Sequence, residues 1–167
     1  QLEVYDHETG LWVSTAKPVD LFNPDFPTTV IVHGWNTTES DELQPWTIDI
    51  AWSVTKRENY DVNVLAWNWM EEAKKENGAP ENIKKQASLM TQSLHNLFSD
   101  PTVNYSQQIH LIGHSFGAHL IVWGSLKLIQ NEFCNCKITQ ITLLDPPEVG
   151  WVWLIFQVGI PDISEPI

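Results

Sequence analysis

Apolar residues along the chain follow two rhythms. Thr28–Val32 (TTVIV), Val62–Trp67 (VNVLAW), Gln108–Ile112 (QIHLI) and Ile138–Leu144 (ITQITLL) are short, nearly continuous apolar runs. Strands covered on both faces require runs of this kind. Leu2–Tyr5 and Leu11–Thr15 flank the polar Asp6–Gly10 segment and predict a hairpin. Between these runs the period lengthens. Over Pro80–Phe98, Ile83, Ala87, Met90, Leu94 and Leu97 recur at steps of four and three, one face of a helix. Pro80 suits a first helical turn, where a missing N–H costs nothing. Two further helices are expected over Trp46–Lys56 and Phe116–Gln130. Strand and helix in alternation predict an α/β fold, a mostly parallel sheet with helices on both faces. In such folds the chemistry lies at the carboxyl ends of the strands.

No repeat or linker divides the 167 residues, so a single domain spanning 1–167 is expected, with 148–167 set apart as an atypical tail. The longest apolar stretch, Trp151–Ile160, is broken by Gln157 and Gly159. It suits a strand and falls short of the roughly 20 residues of a membrane-spanning helix. The amino end, QLEVYDHETG, lacks the basic and apolar regions of a signal peptide and a starting Met, the pattern of a processed product or a fragment. Asn36-Thr37-Thr38 and Asn104-Tyr105-Ser106 match the N-glycosylation pattern and lean the expected location towards the extracellular space. Cys134 and Cys136 lie too close for an easy mutual disulfide and leave the redox compartment open.

Charge removes one class of function. Against 21 Asp and Glu stand 9 Lys and Arg, a formal charge of -12. Nucleic-acid binding needs clustered cations to displace counterions, so that class is set aside.

Three strand ends carry candidate chemistry. Gly113-His114-Ser115-Phe116-Gly117 is a G-x-S-x-G that follows a predicted strand and opens a predicted helix. Two glycines permit a sharp turn that presents the serine hydroxyl above the sheet. His33-Gly34-Trp35 follows the strand Thr28–Val32. Acyl transfer needs two N–H donors aimed at a developing oxyanion. Phe116 N–H is one candidate and Trp35 N–H the other, with Gly34 allowing close backbone approach. An ordinary turn with His33 hydrogen-bonded in the core is the plainer alternative. Asp145-Pro146 closes the strand Ile138–Leu144. An acid there can orient a catalytic imidazole, although for the residue alone an Asx turn or a cap is the commoner explanation.

Taken in order and separation, TTVIVHGW, VNVLAWNW, IHLIGHSFGAHL and ITLLDPP resemble the α/β-hydrolases, and within them the lipase family typified by pancreatic and lipoprotein lipases. The resemblance runs from about Val4 to Pro147, the amino-terminal half to two thirds of that fold. It implies a carboxylic ester hydrolase acting on lipid esters through a serine acyl-enzyme, with no cofactor or metal. Ser115 would be the nucleophile, Asp145 the triad acid, and Trp35 and Phe116 the oxyanion donors. His33, Gly34, Gly113, His114 and Gly117 would support them. Asn68 stands where the family often has Asp.

The tail departs from that pattern. Family members supply the catalytic His well downstream of the Asp, and no His follows Asp145 here. The chain is therefore expected to be a fragment, a truncated product or a variant with a replaced end, and to be inactive alone. A non-catalytic lipase-like binding or storage protein is the competing class. Of the other histidines, His119 is expected to pack beneath the site, and His7, His95 and His110 lie on the hairpin, a helix and a strand. A metal held by His110, His114 and His119 is disfavoured, because strand, turn and helix aim them differently. Among the 9 tryptophans, core packing is expected for all but Trp35 and Trp69, and a lipid interface is a possible partner.

Overall fold

The computed structural model describes residues 1–15, 17–35, 42–73, 80–130 and 137–147. Strands β1 (Leu2–Asp6) and β2 (Leu11–Ser14) form the expected antiparallel hairpin, with Glu3 opposite Ser14 and Asp6 opposite Leu11. Gly10 N–H donates to Asp6 O at 2.8 Å to close it. Strands β3 (Thr28–Val32), β4 (Asn63–Trp67), β5 (Gln108–His114) and β6 (Lys137–Leu144) are the four apolar runs. They join the hairpin in one six-stranded sheet of order β2-β1-β4-β3-β5-β6. Pairs β3–β4, β3–β5 and β5–β6 are parallel, and β1 meets β4 antiparallel.

Helices cover both faces. Helix α1 (Pro45–Arg57) packs Ala51 and Val54 against Tyr5, Ile31, Val64 and Ile112 on one face. Helix α2 is a single turn, Met70–Ala73. Helix α3 (Pro80–Phe98) and helix α4 (Phe116–Gln130) cover the other face. There Ile83, Met90, Leu94, Leu120 and Ile121 join Val30, Val32, Leu65, Trp67, Ile109 and Leu111 in the larger core. Adjacent residues of one strand thus point into different cores, as the two-residue period demands. Every residue of β3 and β4 is buried. Trp67 keeps its indole in the core by donating Nε1–H to Gln86 Oε1 at 3.1 Å.

Three details depart from the sequence reading. Strand β5 continues through Gly113 and His114 before the turn, because both pair with β6 at Leu143 and Leu144. Strand β6, expected to be buried on both faces, is half-buried or exposed along its length. It is the edge of the described sheet, where Ile138 and Ile141 pack against one core and Leu144 against the other, each only partly buried. The short 3-10 turn Pro18–Leu21 and helix α2 carried too few periodic positions to be anticipated. Cys134, Cys136, Asn36 and the 148–167 tail, with Trp151 and Trp153, lie outside the described residues.

The face of α3 gives a direct test. Leu94 is 0% exposed, whereas Leu89 is 45% exposed. Leu94→Ala should cost about 2–5 kcal/mol in urea denaturation, by lost transfer energy and a cavity. Leu89→Ala should stay within about 0.5 kcal/mol. Equal effects would contradict the assignment of faces.

Candidate active site

The parallel register brings the strand ends level. Val32 pairs with both Trp67 and Gly113, and Gly113 in turn with Leu143. The residues after each strand therefore emerge side by side at the carboxyl edge: His33–Trp35, Asn68–Trp69, Ser115 and Asp145. Because β5 lies between β3 and β6, Ser115 is flanked by the His33–Trp35 turn and by Asp145.

Ser115 occupies the left-handed region at φ 52, between the end of β5 and the start of α4. A non-glycine residue there is strained and persists only when its surroundings over-determine it. The surroundings do so. Its N–H donates to Leu144 O at 2.8 Å, and its own carbonyl accepts from Ala118 N–H at 2.9 Å. Backbone packing completes the turn. A Cβ on Gly117 would lie 2.4 Å from both Val32 O and His33 O, and one on Gly113 would lie 2.6 Å from Gly117 O. At these positions only glycine fits without moving main chain.

The same limit brings the His33–Trp35 turn onto the serine. A Cβ on Gly34 would meet Ser115 Cβ at 2.6 Å and His114 O at 2.9 Å. Trp35 follows at once, its side chain 47% exposed at the surface. Phe116, partly buried, is the first residue of α4. The backbone of Trp35 and Phe116 thus flanks Ser115 from two elements.

His33 is fully buried and ties this turn to its neighbour. Trp69 N–H donates to His33 Nε2 at 3.1 Å, so Nε2 is the bare nitrogen and Nδ1–H donates to Gly34 O at 2.8 Å. Trp69 Nε1–H returns a bond to His33 O at 2.8 Å, and the two rings stack. The structure adds to the expectation for His33 and corrects that for Trp69. His33 is the hydrogen-bonded core residue of the plainer alternative while also shaping the Gly34 turn, and Trp69, expected outside the core, is 3% exposed within it. A tryptophan two residues beyond a strand gives no sign that a histidine elsewhere will draw it inward.

Asp145 also has positive φ, 47, and stands exposed after β6. His114 packs on Trp46 at 5.1 Å, and its buried Nδ1 has no hydrogen-bond partner among the described residues. His119 is 3% exposed and donates from Nε2 to Pro147 O at 3.0 Å. His110 bonds Thr142 Oγ1 at 2.8 Å across β5 and β6. The three are engaged separately, and among the described residues no cluster of three His, Cys, Asp or Glu is placed to hold a metal. No described helix is long and apolar enough to cross a membrane.

A mostly parallel sheet with helices on both faces and a strained serine where strand β5 turns into helix α4 defines an α/β-hydrolase. A family model described as Lipase matches residues 13–152, and the chain belongs to the lipase family. It is 30% identical to lipoprotein lipase of Bos taurus over 126 residues. Lipoprotein lipase of Rattus norvegicus is 32% identical over 130 residues, and that of Homo sapiens 29% over 130 residues. Each match covers 75% of this chain and 24% of the relative, so the chain spans about a quarter of the length of these relatives.

Burial pushes His33 down from 6.5 to about 4. Between those values the unfolded chain binds the proton that the native state refuses. The His33 contribution is therefore complete above pH 6.5 and is lost as pH falls towards 4, about 3 kcal/mol in all. Burial also lowers His110 and His119, which add in the same direction. Urea denaturation across pH 7 to 4 should show this slope, and His33→Gln should flatten it. Equal slopes in the two proteins would contradict the buried neutral imidazole.

Proposed function

We propose that this chain carries the nucleophile, the acid and the oxyanion loop of a lipase-type carboxylic ester hydrolase. The observation that carries the reading is the contact of Gly34 with Ser115. It brings a backbone donor loop against a strained serine at the carboxyl edge of the sheet. Membership of the lipase family supports a lipid ester as substrate.

In this reading Ser115 Oγ attacks the ester carbonyl carbon and forms the C–O bond while an imidazole accepts the hydroxyl proton. Charge gathers on the former carbonyl oxygen, which Trp35 N–H and Phe116 N–H stabilise. Collapse expels the alcohol, protonated by the imidazole, and water then cleaves the acyl-serine by the same steps. Asp145 holds the imidazole in the correct tautomer and stabilises its cation. Trp35, exposed beside the serine, is the group best placed to meet a lipid interface. Two glycosylation-pattern sequences, with Asn104 exposed, support an extracellular setting.

The imidazole is the missing partner. No His follows Asp145 in the sequence, and His33 and His119 are buried with Nε2 already engaged. The 167-residue chain is thus a poor hydrolase by itself, because serine without a base is a weak nucleophile.

Residues 1–167 should turn over a short-chain nitrophenyl ester at no more than about 10³–10⁴ over water, the residue left by oxyanion stabilisation and binding. Extending the chain beyond Asp145 with the carboxyl portion of a lipoprotein lipase should restore turnover, and Ser115→Ala should abolish it. Robust Ser115-dependent turnover by 1–167 alone would overturn the missing-base proposal. Turnover of the extended protein that survives Ser115→Ala would place the nucleophile elsewhere. An extended, folded protein with no turnover would favour the binding or storage reading.

A further inference from the structure

We infer that His119 is a positioning residue for Asp145, acting through the Pro147 carbonyl; the inference rests on the reading above for the role of Asp145, not for the contact itself. The turn after β6 has an unusual difficulty. Asp145 sits at φ 47, while the residue before a proline is pushed towards extended conformations. Pro146 and Pro147 have no N–H, so neither can tie the turn down as a backbone donor. The two prolines can therefore be held through their carbonyls but not through a backbone N–H, and donors to those carbonyls must come from other elements.

Two donors do, and both come from the serine turn and the helix it opens. Ser115 N–H binds Leu144 O at 2.8 Å on one side of Asp145. His119 Nε2 binds Pro147 O at 3.0 Å on the other. His119 lies four residues beyond Ser115, one turn along α4, so both anchors move with the same rigid element. The carboxylate of Asp145 is exposed, yet its backbone is pinned at both ends to the helix that begins at the serine. The distance between the proposed nucleophile and acid is thereby set by α4 rather than by the flexibility of an edge strand.

Chemistry fixes the donor. A carbonyl only accepts, so Nε2 carries a proton, and burial lowers His119 to keep it neutral. A side-chain amide reaches about as far as an imidazole Nε2 and also donates, whereas an aliphatic chain of similar size fills the space without donating.

The test is made on the intact 1–167 chain by nuclear magnetic resonance, with no dependence on catalysis. In the wild-type protein at neutral pH the ¹⁵N shift of His119 Nε2 should be that of a protonated nitrogen. A bare Nε2 would overturn the proposal whatever the variants do. His119→Leu should raise amide exchange at Ser115, whose N–H binds Leu144 O, by about tenfold, while interior amides of α3 keep their protection. His119→Gln should return that rate to within about threefold of wild type. Unchanged exchange in the Leu variant, or a Gln variant as loose as the Leu variant, would overturn the clamp. Should the Leu variant fail to fold, the wild-type shift and the Gln variant decide. An unreactive Ser115 in the extended protein, with this exchange pattern intact, would count against ester hydrolysis and leave the clamp standing.

Discussion

The architecture depends on a gap between α4 and β3 that is only glycine wide. Gly117 brings the first turn of α4 onto the carbonyls of Val32 and His33, closer than any side chain permits. That approach fixes where the helix starts, and hence the left-handed backbone of Ser115. It also decides how near the Gly34 turn lies to the serine. From there the constraint spreads sideways. His33 passes it to the turn after β4 through Trp69, and Ser115 N–H passes it to β6 through Leu144. Four strand ends are held as one unit by backbone contacts and two imidazoles, with little call on surface charge.

Histidines show the division of labour. Chemistry of this class needs an imidazole exposed to the serine, yet His33, His110 and His119 are spent on holding neighbouring segments together. Burial lowers all three and keeps them as neutral connectors. A connector of this kind resists the proton that a general base must accept. These three histidines thus serve the described fold as connectors, a role distinct from that of the exposed base the proposed chemistry uses.

Much of this was legible in the sequence because the signals were local. TTVIV and NVLAW are buried on both faces as continuous apolar runs should be, and the four-and-three spacing from Ile83 to Leu97 marks the face α3 buries. G-x-S-x-G and H-G-W announce turns whose glycines have steric reasons. What stayed hidden depends on partners distant in the chain. Ile141 looks the same in a central strand as in an edge strand, and only the sheet order tells them apart. Nothing near Trp69 announces His33, 36 residues away, and nothing near His119 announces Pro147, 28 residues away. Hydrogen bonds of that separation are set by topology, which no local window contains.

The most direct measurement compares two glycines of the same helix. Gly117 and Gly124 both lie in α4, where Ala is intrinsically favoured over Gly by about 1 kcal/mol. A Cβ on Gly124 would approach Met90 Cε at 2.5 Å, the free tip of a flexible side chain, whereas a Cβ on Gly117 would meet two main-chain oxygens at 2.4 Å. In urea denaturation of residues 1–167, Gly124→Ala should be neutral or stabilising. Gly117→Ala should lose roughly 2 kcal/mol or more, since overpacking against backbone outweighs propensity. A Gly117→Ala protein as stable as Gly124→Ala would contradict the claim that this close approach assembles the site.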